Sequence, residues 1–410
     1  MSRKLCTLLI ILTFVSGLYA KEHRISPIPP AEQEIINIEP EPCSKACLER
    51  LFSEGMVFSF LARFTSSHEV LKKKYTELAN LIGLEQALSP RAIENREMSK
   101  DLAPVFKVAL LIPKKAIGRY ATVTIDTILA YLLVQNGDFL FEVFDSIDEQ
   151  ESSIKRTLTA IEAGGYEKVI ALMTLEGANV LNRLHSSLDV YVPSVNKNQL
   201  ENPSTRLRMG GIDYHEQIKI LGAFVGGSRV AAFNDSSYVG AKMGQYTRQE
   251  VDALVYEETL GDAKTADFQR VIKDRRHSLH NNVVFLNTPL IKTSLLLSQF
   301  TLYEIKPSKI FSTQINYNPA LLNLTQPRDR DNMFIANSIG GVDRALREQS
   351  AILGSDVVYD WINYATSIGI DLFYSQAYQS KRLFEQKIVE NQIIYDTQIV
   401  QPALDRFVLP

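Results

Sequence analysis

The chain is 410 residues long, 45% hydrophobic and 22% charged, with a formal net charge of −3. At roughly 100 to 200 residues per domain, this length allows about two to four domains, each large enough to bury a core. The composition is that of an ordinary globular protein and gives no support to a nucleic-acid partner, which calls for concentrated Lys and Arg.

Arg3 and Lys4 precede an apolar run from Leu5 to Val15, and Leu18-Tyr19-Ala20 ends it. A basic start, a short apolar core and a small terminal residue predict a secretory signal peptide over residues 1–20. The run is too short to span a bilayer comfortably. Lys21 follows, where a lipoprotein would need Cys, so the mature protein is expected to be soluble and exported to the periplasm. Losing Arg3 and Lys4 with the leader takes the net charge to −5. Pro27, Pro29, Pro30, Pro40 and Pro42 mark residues 21–42 as a Pro-rich linker. Cys43 and Cys47 are the two mature cysteines, and an oxidising compartment favours a disulfide between them. Unpaired thiols on a helix face are the alternative. A metal site is not expected there, because no nearby His or third Cys completes one.

Residues 43–102 read as a small helical domain. Leu71, Tyr75, Leu78 and Ile82 fall at helical spacing, and Ser89-Pro90 suits the start of a further helix. An alternating pattern begins near residue 103. Phe106–Ile112 is an almost continuous apolar strand, as expected when both faces are covered. A helix over Ile117–Val134 follows, then a strand over Phe139–Phe144 and a helix over Glu149–Ala163 closed by Gly164-Gly165. Val169–Met173 and Val190–Val192 are the next strands, with a helix near Glu176–Leu184 between them. Strands separated by helices imply right-handed crossovers and a parallel sheet. Residues 198–211 read as a polar loop. A helix with Ile218, Leu221 and Phe224 on one side, a strand over Arg229–Phe233 and a polar turn, Asn234–Tyr238, come next. Residues 241–280 read as polar and largely helical. Val283–Leu286 is a strand, followed by a helix with Thr288 as N-cap and Pro289 at its first position, running to about Glu304. Strands are predicted at Ile310–Thr313 and Met333–Ala336, two helical stretches after Gly340-Gly341, the second over Val357–Phe373, and a terminal strand or hairpin in residues 376–410.

Three stretches resemble the type I periplasmic binding proteins, such as the branched-chain amino-acid receptors. Gln217 on a hydrophobic helix, the strand Val230-Ala231-Ala232-Phe233 and the turn Asp235-Ser236-Ser237-Tyr238-Val239-Gly240 match the opening of their second lobe. Tyr359-Asp360-Trp361 resembles the start of their late helix, with Trp where the family prefers Ala. Pro193-Ser194 fits their fourth strand turn, whereas the Gly-Pro usual after the third strand is replaced by Thr174-Leu175-Glu176. The resemblance implies an α/β, two-lobed fold of parallel sheets preceded by the helical domain. The first lobe would hold residues 103–227 and 337–375, the second residues 228–336, and residues 376–410 would form a C-terminal extension. Polar turns at strand carboxyl ends would then face each other across a cleft, which makes Thr174, Glu176, Ser194, Ser236, Tyr238, Asn287 and Thr288 the candidate ligand-binding residues.

The six histidines form neither His-Glu-x-x-His nor a zinc-spaced cluster, and no nucleophile elbow, Walker loop or dinucleotide fingerprint occurs. No enzyme activity, cofactor or metal is therefore expected. Two main functions stay open, beside a minor third, a hydrolase of cell-wall material for which no catalytic residue is identifiable. One is a periplasmic receptor for a small polar solute, with an inner-membrane partner. The other is a scaffold that binds an envelope protein and regulates peptidoglycan synthesis or the flagellar motor. A helical domain joined to this fold resembles the arrangement of the peptidoglycan-synthase activator lipoproteins.

Overall fold

The computed structural model describes residues 43–54, 60–61, 63–64, 69–81, 105–135, 137–261 and 265–410. The leader, the Pro-rich linker and the helix expected from Ser89-Pro90 lie outside the described residues. The chain divides into two compact units, Met1–Pro104 and Val105–Pro410.

In the first unit, α1 (Lys45–Ser53) is capped by Ser44, whose hydroxyl accepts from the Cys47 N–H. The α2 helix spans Glu69–Leu81. Leu48, Leu51, Phe60, Leu61 and Leu71 form a small core. Stacking of Phe64 on Tyr75, with ring centroids 4.5 Å apart, adds to it. The Cα atoms of Cys43 and Cys47 are 5.5 Å apart, within bridging distance.

The second unit is built from two sheets of seven strands. The first lobe runs β1 (Phe106–Ile112), α3 (Tyr120–Val134), β2 (Phe139–Asp145), α4 (Glu151–Ala163), β3 (Lys168–Ala171), α5 (Leu175–Leu184), β4 (Asp189–Val192) and β5 (Leu207–Met209). The second runs α6 (Tyr214–Gly222), β6 (Val230–Asp235), α7 (Tyr238–Glu250), β7 (Leu254–Leu260), α8 (Thr265–Asp274), β8 (Val283–Asn287), α9 (Leu290–Leu302), β9 (Lys309–Ser312) and β10 (Met333–Asn337). The chain returns to the first lobe with α10 (Arg344–Ile352) and α11 (Trp361–Tyr378). It finishes with β11 (Lys387–Val389), β12 (Gln392–Ile394), β13 (Gln398–Pro402) and β14 (Phe407–Val408).

The strand orders are β11-β12-β5-β4-β3-β1-β2 and β14-β13-β10-β9-β8-β6-β7. Strands β1 to β5 pair in parallel throughout, and so do β6 to β10. Each lobe therefore reverses its winding at one point, between β1 and β3 and between β6 and β8. Such switch points open a crevice beyond the strand carboxyl ends. In the first lobe, alternate β1 residues face different cores. Val108, Leu110 and Ile112 pack with α3 and α11, while Ala109 and Leu111 pack with α4 and α5.

Several expectations need correction. The loop over 198–211 contains β5, which is only three residues long and carries Arg208 in its middle. The segment 241–280 is largely helical, as read, but a strand interrupts it. This is β7, an edge strand whose Glu257 and Glu258 hide any apolar run. Thr288 is not the N-cap of α9, because Pro289 holds that place without a side-chain bond. The late helix starts at Trp361 rather than Val357, where Asp360 caps it by accepting from the Ile362 and Asn363 N–H groups. Helix α6, read with the first lobe, packs Ile218 and Leu221 on Val230 and Met243 of the second. Residues 387–408, read as a C-terminal extension, add β11 and β12 to one sheet and β13 and β14 to the other.

Candidate functional site

Three connections join the lobes: residues 210–213 after β5, 338–343 after β10, and 395–397 after β12. Side-chain hydrogen bonds tie them to one another. Gln217 is fully buried on α6; its amide donates to Ser338 Oγ at 2.7 Å and its carbonyl accepts from the Gln314 N–H at 2.9 Å. Ser338 also hydrogen-bonds the Thr397 hydroxyl, 2.8 Å away, and its N–H donates to Gln314 Oε1. The Tyr395 hydroxyl donates to the Gly210 carbonyl at 2.6 Å, and the Gln392 amide donates to that of Gly211. A Cβ on Gly211 would lie 2.1 Å from the Val195 carbonyl carbon, so only glycine lets the first connection pass so close to the β4 turn.

Between the lobes lies a cleft of about 1000 Å³. It sits at the β1/β3 switch point. Ala116, Ile117 and Tyr120 from beyond β1, Leu172 to Glu176 from beyond β3, and Ser194 and Val195 from beyond β4 form one side. Tyr238 and Val239, from the start of α7 in the second lobe, form the other, and Ile362 of α11 adds to the lining. Most of the lining is apolar or aromatic, and Tyr238 is 53% exposed. A smaller cavity next to it is lined by Tyr214, His215, Tyr238 and Tyr246. Burial, with Tyr120 adding, pushes the Tyr214 phenol up to about 12, and burial raises that of Tyr246, with Asp213 and Tyr238 adding. Both stay protonated donors at neutral pH. His215 stacks on Tyr246 with centroids 4.6 Å apart and bonds Glu250 at 2.7 Å.

The structure brings Thr174, Glu176, Ser194 and Tyr238 onto the large cleft. It does not bring Ser236, Asn287 or Thr288 there. Ser236 is exposed at the end of β6, its N–H donating to the Leu260 carbonyl. Asn287 is fully buried, and its amide donates to Asn234 and to the Thr247 hydroxyl. The hydroxyl of Thr288, equally buried, pairs with that of Thr293 at 2.8 Å. These last two close the polar interior of the second lobe and present nothing to the cleft.

Two of the cleft residues are also partly committed. The Ser194 hydroxyl donates to the Met173 carbonyl. The Thr174 N–H donates to Glu149 Oε1 at 2.7 Å, its hydroxyl donates to Glu149 Oε2, and that hydroxyl oxygen accepts from the Glu176 N–H at 3.2 Å. Glu149, from the loop before α4, thus lays its carboxylate across the N-terminus of α5, where the helix dipole favours negative charge. Sequence reasoning passed over Glu149, since a contact across 25 positions leaves no periodic trace.

Solved structures with the same architecture exist. A putative branched-chain amino acid ABC transporter protein from Rhodospirillum rubrum superposes with a TM-score of 0.60 at 10% identity, covering 75% of this chain and all of that one. The fold is that of the type I periplasmic binding proteins. The branched-chain amino acid substrate-binding protein LivJ from Streptococcus pneumoniae, solved with isoleucine, gives 0.52 at 11% identity over 75% of this chain and 100% of that one. A solute binding protein of an ABC transporter from Rhodopseudomonas palustris BisB5, solved with 3,4-dihydroxybenzoic acid, gives 0.54 at 14% identity over 74% and 95%. No protein-family model and no curated protein matches the sequence. The likeness is one of fold. Among the described residues, no helix is long and apolar enough to cross a membrane.

Proposed function

We propose that this protein is a non-enzymatic binding protein that closes its two lobes on a small solute held in the cleft. The supporting observation is the cleft itself, about 1000 Å³ at a switch point and lined from both lobes. Three connections cross-linked by side-chain hydrogen bonds suit a hinge that turns as a unit. Thr174, Glu176, Ser194 and Tyr238 are the proposed contacts from the original set, with Tyr120 and Ile362 added. The protein acts after export to the periplasm, hands its solute to an inner-membrane partner, and keeps Cys43 and Cys47 bonded. Intact mass before and after reduction tests that bond, and equal masses would refute it.

A screen of small metabolites by thermal shift, followed by solution scattering with the best hits, tests the main reading. A raised melting temperature together with a smaller radius of gyration is expected. No hit and no compaction would overturn it. A scaffold that binds an envelope protein is the second reading, favoured by the internal commitment of Thr174 and Ser194 and by exposed Tyr238 and Val239 at the mouth. It predicts loss of a co-purifying envelope protein in Tyr238→Ala.

A further inference from the structure

The donors at the end of β3 are already satisfied by the protein's own carboxylate. Glu149 takes both the N–H and the hydroxyl of Thr174. Gly177 leaves room for it, because a Cβ at that position would meet Glu149 Oε1 at 2.6 Å. Glu176 adds a second acidic side chain, exposed at the rim of the same cleft. Arg183, the cation among the described lining residues, sits in the last turn of α5 and lies 3.9 Å from Glu151, which offsets its charge. An anionic ligand group entering beside Thr174 would meet spent donors and two like charges in a partly enclosed, apolar space. Both effects oppose it.

We infer that Glu149 is a specificity-determining residue that excludes carboxylates, so the cleft takes an uncharged, largely apolar or aromatic molecule. This rests on the proposal that the cleft binds a solute. Tyr120, Tyr238, Ile117 and Ile362 offer the apolar surface such a molecule needs. Asn179, together with the amide N–H groups of Gln199, whose carbonyl already accepts from the Asn196 N–H at 2.9 Å, can orient a hydroxyl or amide on it.

The test uses matched probes, 4-hydroxybenzyl alcohol against 4-hydroxybenzoate and N-acetylleucinamide against N-acetylleucine, by isothermal titration calorimetry. The wild-type protein is expected to bind the uncharged member of a pair at least about tenfold more tightly. Glu149→Ala removes the carboxylate, and Gly177→Ala displaces it while keeping the residue. Both variants are expected to gain affinity for the carboxylate member and to lose the wild-type preference. Two variants acting by different routes guard against one that fails to fold. A wild-type preference for the carboxylate member, or a preference unchanged in folded Glu149→Ala and Gly177→Ala, would overturn the inference and leave the solute-binding reading standing. Absence of heat with every probe in all three proteins would overturn both.

Discussion

Replacing Asp371 by Asn is expected to destabilise the Val105–Pro410 unit severely while conserving side-chain volume. Asp371 is fully buried in the middle of α11. Its Oδ1 accepts from the Tyr131 hydroxyl and the Leu383 N–H, each at 2.9 Å. Its Oδ2 accepts from Arg382 Nε at 3.3 Å and the Phe384 N–H at 3.2 Å. One carboxylate thus joins α11 to α3 and fixes the segment that leads into β11. Burial, reinforced by Asp371, pushes the Tyr131 phenol far above its ordinary range, so it serves as a donor throughout the accessible pH range. Asparagine could keep the two bonds at Oδ1. Its amide would then point donors at the donors of Arg382 and Phe384. Loss of a charge-assisted bond and of a buried backbone partner amounts to about 3–5 kcal/mol. For a domain of this size that lowers the melting temperature by about 10 °C. Tyr131→Phe removes one donor and should cost only about 1–2 kcal/mol. Urea titration followed by Trp361, the single tryptophan, measures both. An Asp371→Asn protein no less stable than Tyr131→Phe would refute the reasoning.

Other outcomes follow from the same contacts. Arg330 is fully buried and donates to the carbonyls of Thr325, Ala403 and Leu404, so Arg330→Ala should cost about 3–5 kcal/mol and raise hydrogen exchange at residues 398–408 first. Gln217→Ala removes one partner of Ser338, which keeps Thr397, and takes the acceptor from the buried Gln314 N–H, which should cost about 1–3 kcal/mol and broaden the interlobe distance distribution in solution scattering. Burial alone would raise the Asp235 carboxyl, but bonds from Lys292 and Ser237 hold it below its ordinary range. Its contribution is therefore complete above about pH 4, the unfolded value, and is lost as pH falls below that. Melting curves against pH should lose stability on that acidic side in the wild type, and Asp235→Asn should flatten the dependence there.

Most of the architecture was legible in the sequence for a definite reason. Strands such as Phe106–Ile112 and Val230–Asp235 are buried on both faces and read as apolar runs between helices. Strands lacking that property did not show. Arg208 interrupts β5, and Glu257 and Glu258 sit on the edge strand β7; the terminal strand or hairpin is legible from its alternation, but the distant pairings of β12 with β5 and β13 with β10 that join it to both sheets are not. Within the candidate site, Thr174, Glu176, Ser194 and Tyr238 could be placed because they follow the first legible strands. Asn287 and Thr288 follow a strand just as clear, yet their side chains turn inward to Asn234 and Thr293. Strand order can suggest which turns reach a crevice; only packing decides which way a side chain points. Glu149 belongs to neither pattern, and its role emerges from the hydrogen bonds it makes.

Native mass spectrometry of the protein purified without denaturation tests the central proposal most directly. One small molecule per chain is expected, retained under gentle desolvation and lost from Tyr238→Ala. Chains that are empty in every preparation, and that travel instead with a bound protein partner, would contradict it.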